Sequence, residues 1–162
     1  AKMINFGLLY GMTSFGLSER LNISRAQAKE IMNKYFDAVP GIKNFIEKTI
    51  IDAKERGFTR TISGRIRPVK EINAKGQALD RALINSPIQG TAADIARKAM
   101  IDFANLKRGE LFLQVHDSLI CECKKNESQE ILNILCETMQ KSGGEIKNIK
   151  ISAKTGSSLA NV

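Results

Sequence analysis

Between Leu111 and Cys123 two short apolar runs, Leu111–Val115 and Leu119–Cys123, are separated only by His116, Asp117 and Ser118. Runs of that length and composition read as strands, and so few polar residues between them make a tight turn, so the segment is expected to be a hairpin. Helical spacing flanks it on both sides. Upstream, Ala28, Ile31, Met32 and Tyr35 recur at helical intervals over Arg25–Phe36, opened by the capping-box pair Ser24 and Gln27. Pro40 and Gly41 punctuate the chain, and a second amphipathic stretch, Ile42–Arg56, runs up to Gly57, a residue suited to a left-handed helix cap.

The pattern then changes to β. Thr59–Ile62 and Arg65–Val69 flank Ser63 and Gly64, which predicts a small hairpin carrying Arg60, Arg65 and Arg67. Helical spacing returns near Lys75, is expected to break around Pro87, and resumes over Thr91–Asn105 before Gly109. Beyond the central hairpin, Asn126 is placed to cap a helix over Glu127–Lys141 ending at Gly143 and Gly144. Ile146, Ile149 and Ile151 mark a last strand within about residues 147–154. A helical half followed by strand, strand, helix and strand is an α+β arrangement with two lobes expected, and not regular βα alternation.

Composition sets the outer bounds. With 162 residues, 43% hydrophobic and 26% charged, the chain can bury a core and lacks the bias of a disordered segment. No apolar run approaches the roughly 18 residues that cross a bilayer, and no basic-then-apolar leader is present, so no membrane partner and a cytosolic location are expected. The opening inside a helical pattern, without an initiator Met or a capping residue, reads as a piece of something longer. Cys121, Cys123 and Cys136 are odd in number and include no CxxC pair; free thiols in a reducing compartment are expected, and not a thiolate metal site. The net charge of +8 and pI near 9.5 favour a polyanionic partner, although charge alone does not distinguish nucleic acid from other acidic surfaces.

Three constellations carry chemistry. At about 100° per residue, Lys2, Phe6 and Tyr10 fall within about 80° of one another, with Ile4, Leu8 and Gly11 opposite. A cation and two flat rings on one face suit a nucleoside triphosphate. Asp117, at a hairpin tip, offers a hard oxygen donor on rigid backbone, suitable for Mg²⁺. Arg81, Asn85 and Gln89 recur every four residues, and side chains of that kind can reach minor-groove acceptors, which are similarly placed in every correct base pair.

Longer strings around these residues resemble one family. KMINFGLLYG over residues 2–11, TISGRIR over 61–67, NSPIQGTAAD over 85–94 and LQVHDSL over 113–119 are similar, in the same order, to the conserved segments of the family A DNA polymerases. The resemblance covers nearly all of the chain and fades after about Asn126. It implies a helical fingers subdomain followed by part of an antiparallel-sheet palm: fingers helices over 1–58, a linking hairpin and helices over 59–107, and a partial palm over 108–162. It also implies a bacterial repair and replication enzyme that adds deoxynucleotides to a primer 3′ end, acting as a monomer in the cytosol or nucleoid on primer-template DNA and deoxynucleoside triphosphates.

By the same resemblance Lys2 contacts the triphosphate in a catalytic as well as a binding role, Phe6 packs by the base and sugar, and Tyr10 sits beside the nascent pair. Phe at position 6 implies discrimination against dideoxynucleotides. Arg67 is a template-backbone contact, and Arg81, Asn85 and Gln89 are minor-groove contacts, whereas Arg60 and Arg65 read as solvated. His116 lies near the primer terminus, and Asp117 is a catalytic metal ligand for two Mg²⁺ ions, which assist in-line displacement at the α-phosphate. Ser118 stands where most members carry Glu. The second metal-binding Asp, the upstream palm, the thumb, any exonuclease region and the Arg usually found four residues before the Lys have no counterpart in this chain. The alternative is a non-catalytic, polymerase-like module that binds DNA or nucleotide, favoured by Ser118. A basic RNA-binding protein would need an RNP-like aromatic motif or a GXXG loop, and neither is found.

Overall fold

In the computed structural model, which describes the backbone of residues 2–158 and the side chains of residues 4–158, the expected α+β architecture is present. Helices α1 (Lys2–Leu9), α2 (Ser14–Leu21), α3 (Arg25–Ala38) and α4 (Pro40–Arg56) precede a hairpin of β1 (Phe58–Arg60) and β2 (Ile66–Pro68). A long helix α5 (Gly76–Asn105), a second hairpin of β3 (Glu110–Val115) and β4 (Ser118–Glu122), and helix α6 (Ser128–Ser142) follow. The chain divides into two compact units, residues up to Gly90 and residues from Thr91, and the division falls within α5.

Local chemistry accounts for most boundaries. The Ser24 hydroxyl accepts from the Gln27 amide (3.2 Å) while the Gln27 carboxamide oxygen accepts from the Ser24 amide (3.0 Å), which closes the capping box that opens α3. α4 starts at Pro40, two residues earlier than expected, because proline is tolerated where a helix has no partner for its first amides anyway. It ends on Gly57 at φ 77°, where a side chain would be strained.

Helix α2 was not legible from spacing. Its eight residues are too few to form by propensity alone. Thr13 caps it by accepting from the Gly16 amide (3.2 Å), Asn22 ends it in the left-handed region, and Leu17, fully buried, anchors it.

Three expectations are corrected. α5 does not break at Pro87, which lies inside a continuous helix. Proline in a helix interior costs about 3 kcal/mol, but burying Leu83 and Ile84 just before it and Phe103 beyond it offsets that at about 1.5–3 kcal/mol per side chain. Asn126 does not cap α6; a 3-10 turn over Lys125–Glu127 leads into the helix at Ser128, whose hydroxyl donates to the Lys125 carbonyl (3.0 Å). No strand forms over residues 147–154. Gly143 leaves a space that a Cβ would fill only by coming within 2.4 Å of the Ile149 side chain, so Ile149 packs at the end of α6 and not against a sheet.

In the unit up to Gly90, Leu8, Leu17 and Ala28 form one core cluster, with Ile4, Met12 and Ile31 packed around it. A second cluster joins Ala53 of α4, Ile72 and Leu83 of α5, and an ion pair from Lys54 to Asp80 (2.6 Å) ties the same helices at the surface. The unit from Thr91 centres on Phe103, Ile131 and Leu135, with Leu111, Leu119, Cys121 and Cys123 packed on them. Cys121, Cys123 and Cys136 are free, and burial, with Cys123 nearby, pushes the Cys121 thiol above its ordinary pKa. Among the described residues, no helix is long and apolar enough to cross a membrane.

Candidate nucleic-acid interface

The first constellation lies on α1. Leu8 is buried and Ile4 packs on the core, which leaves the opposite side of the helix to Phe6 and Tyr10. Their rings stack with centroids 6.2 Å apart and 20° between planes, and Phe6 is 46% exposed, so the pair presents a flat aromatic surface. The Lys2 side chain lies outside the described residues. Gly11, just beyond the helix, has φ 77°, and a Cβ there would come within 2.9 Å of the Arg81 Cγ. The stem of Arg81 thus lies over Gly11, next to Tyr10, and both the backbone conformation and this close approach require glycine.

The second constellation is a cleft of about 410 Å³ between the first hairpin and α5, lined among others by Thr61, Arg65, Arg67, Asn85, Ser86 and Gln89. In the hairpin Thr59 pairs with Arg67 and Arg60 with Ile66. Its tip is closed by Thr61, whose amide donates to the Arg65 carbonyl (2.9 Å) and whose hydroxyl bonds to Ser63 (2.9 Å) and accepts from the Arg65 amide (3.1 Å). Arg67 donates to the Ser86 hydroxyl (2.9 Å), which donates to the Ala82 carbonyl one turn back (2.7 Å). Arg65 is not merely solvated, since it donates to the Gly90 carbonyl (3.0 Å).

One polar atom in this cleft is unusual. The carboxamide oxygen of Asn85 is buried and has no hydrogen-bond partner. A buried acceptor left without a donor costs about 1–3 kcal/mol, and Asn85, which lines the cleft, carries that cost. Arg67, Asn85 and Gln89 are brought together in this cleft, whereas the sequence spacing groups Asn85 and Gln89 with Arg81. Arg81 does not line the cleft and sits over Gly11 instead.

The third constellation is the tip of the second hairpin. Gln114 faces Leu119 and Val115 faces Ser118, which leaves His116 and Asp117 as the turn. His116 adopts φ 54°, a left-handed conformation that costs a non-glycine residue about 1–2 kcal/mol, and the Gln114 side-chain amide donates to the His116 carbonyl (3.1 Å) across the turn. Asp117 is exposed to solvent. Among the described residues no three His, Cys, Asp or Glu side chains converge as a metal cluster. A lone exposed carboxylate does not make a Mg²⁺ site, which needs octahedral oxygen coordination and draws on further carboxylates or phosphates.

A family model for DNA polymerase family A matches residues 1–161. The chain belongs to this family. Among curated family A proteins, DNA polymerase I of Bacillus caldotenax is 40% identical over 149 residues, covering 86% of this chain and 17% of that protein. DNA polymerase I of Lactococcus lactis subsp. lactis (strain IL1403) is 38% identical over 165 residues, covering 96% of this chain and 19% of its own length. The chain thus spans less than a fifth of the length of these family A relatives. The solved POL domain of Pol1 from M. smegmatis, in complex with DNA primer-template and dNTP, superposes with a TM-score of 0.80 at 35% identity, covering 87% of this chain and 26% of that one.

Against this family A background, three residues of the site escaped the sequence reading. Arg65 is bonded to a carbonyl 25 residues away, Ser86 carries the Arg67 guanidinium, and Gln114 closes the His116–Asp117 turn. All three stand inside the strings that resemble the family, where Ser86 and Gln114 had no assigned role and Arg65 read as solvated. The partner of Arg65 is a backbone carbonyl, which has no side-chain signature.

Proposed function

We propose that this chain supplies fingers and palm parts of a template-directed DNA polymerase, the fingers helices over 1–58, a linking hairpin and helix over 59–107, and a partial palm over 108–162. The observation that carries the proposal is the single cleft that holds Arg67, Asn85 and Gln89 together. A guanidinium suits a phosphate, and Asn and Gln suit the base edges of a minor groove, which offers acceptors at every pair and a donor at guanine N2.

The stacked Phe6 and Tyr10 form the platform for base and sugar, with Lys2 on the triphosphate. His116 lies by the primer terminus. Asp117 contributes one carboxylate to a divalent-metal site whose second Asp comes from outside this chain; a metal held there polarises phosphoryl oxygens. Phe112 and Val115 of β3 and Ile101 of α5 are exposed apolar side chains, which supports a palm that continues into further chain. Primer-template DNA, deoxynucleoside triphosphates, a monomeric state and a bacterial cytosolic or nucleoid setting belong to the same proposal.

Primer extension tests it. A full-length family A polymerase whose matching segment is exchanged for this chain should extend a primer, and Asp117→Asn should abolish extension. Undiminished extension by that variant would contradict the assignment. The 162-residue chain alone should extend no primer. A second reading, a polymerase-like module that binds without chemistry, is favoured by Ser118. It is the outcome if the exchanged polymerase binds DNA but does not extend.

A further inference from the structure

Two observations converge where the first hairpin meets α5. The Arg65 guanidinium donates to the Gly90 carbonyl at 3.0 Å, and a Cβ on Gly90 would lie 2.6 Å from the Thr61 Cγ2 and 3.3 Å from the Arg65 Nη2. The hairpin tip therefore rests directly on the backbone of α5, in contact at Gly90 and clasped by Arg65. Gly90 follows Gln89, and Arg67 lies two residues after Arg65 on the hairpin, bonded to Ser86 one turn back along α5. The tip itself is held closed by the Thr61 hydroxyl, so movement of Arg65 relative to α5 carries the whole tip with it.

We infer that Arg65 is a positioning residue, whose clasp on Gly90 holds the hairpin and α5 in the register that lets Arg67 and Gln89 engage one duplex. It acts through those two residues and not by a contact of its own with DNA. This rests on the reading of the cleft as a duplex-binding surface. The clasp explains why a motif on the hairpin and a motif on α5, 25 residues apart, both contribute to one cleft. A guanidinium is well suited to the task, because its fork is rigid, always charged and loses little entropy per bond formed.

The test uses the full 162-residue chain, a fluorescein-labelled primer-template duplex with a matched or mismatched terminal pair, and binding followed by anisotropy. Arg65→Met should weaken matched-duplex binding by about fivefold and bring the matched-to-mismatched ratio towards one. In a background that combines Arg67→Ala with Gln89→Ala the same change should have little further effect, since both residues through which it acts are gone. Amide exchange without DNA should show the Thr61 and Gly64 amides, bonded within the tip, exchanging faster in Arg65→Met. A loss of affinity that is equal in both backgrounds, or an unchanged match ratio, would overturn the inference and make Arg65 a direct phosphate contact or a purely structural residue. Unchanged exchange at the tip would overturn it as well. If Gln89→Ala alone leaves matched and mismatched binding unaltered, the duplex reading of the cleft fails, and tip exchange still reports separately whether the clasp exists.

Discussion

Replacing Gly90 with Ala sets two opposed effects against each other. Alanine in a helix interior is favoured over glycine by about 1 kcal/mol, so on propensity alone Gly90→Ala should stabilise α5. The added Cβ, however, falls 2.6 Å from the Thr61 Cγ2. That methyl cannot turn away freely, because rotating Thr61 would break the bonds of its hydroxyl to Ser63 and to the Arg65 amide, worth about 1 kcal/mol each. Overpacking of this kind costs about 1–3 kcal/mol, so the net expectation is a loss of about 0–2 kcal/mol. Thr61→Ser removes the offending methyl and keeps the hydroxyl, so Gly90→Ala in that background should gain about 0.5–1 kcal/mol, a coupling of about 1–3 kcal/mol between the two sites. Urea unfolding followed by tyrosine fluorescence reads the relevant unit, since Tyr10 and Tyr35 both precede Gly90. Stabilisation of about 1 kcal/mol in both backgrounds would refute the close packing of the hairpin on α5.

Further expectations can be checked separately. In the exchanged full-length polymerase, Phe6→Tyr should ease dideoxynucleotide incorporation, measured as the ratio of dideoxy to deoxy termination in a sequencing ladder; an unchanged ratio would remove the sugar-side assignment of Phe6. Asp102 accepts from Lys98 (2.7 Å) and from the Ser142 hydroxyl (3.1 Å), and the Lys98 bond, more than Ser142, holds its carboxyl below the ordinary range. A depressed carboxylate adds stability that is present above its unfolded pKa and is lost as pH falls through the folded value. Acid should therefore loosen the junction of α5 and α6 in the native chain but much less in Asp102→Asn, as read by amide exchange near Ser142, and identical acid profiles would show that the contact contributes nothing.

Elements with local signals were legible. The capping box at Ser24 and Gln27, the glycine stop at Gly57 and the polar turn between Val115 and Leu119 all depend on residues within a few positions of one another, and all stand where the pattern put them. Elements decided by tertiary contact were not. α2 exists because Leu17 is buried, α5 runs through Pro87 because residues on both sides are buried, and the apolar residues near Ile149 serve the end of α6 and not a sheet. The site divides the same way. Asn85 and Gln89 share a helix face by spacing alone, and their motif identified them, but that Arg67 joins them in one cleft depends on how the hairpin docks. The clasp from Arg65 to Gly90 spans 25 residues and ends on backbone, so periodicity could not show it, and Arg81 shares the spacing of Asn85 and Gln89 yet lies over Gly11.

The most direct test of the central claim, that these residues form duplex-recognition machinery of a family A polymerase, is the affinity of the full chain for a matched primer-template duplex and for one with a mismatched terminal pair. Native chain should bind the matched duplex more tightly, and a variant combining Asn85→Ala and Gln89→Ala should lose that preference while keeping much of the salt-dependent, charge-driven binding. Equal affinity of the native chain for both duplexes, or an unaltered preference in the double variant, would contradict it.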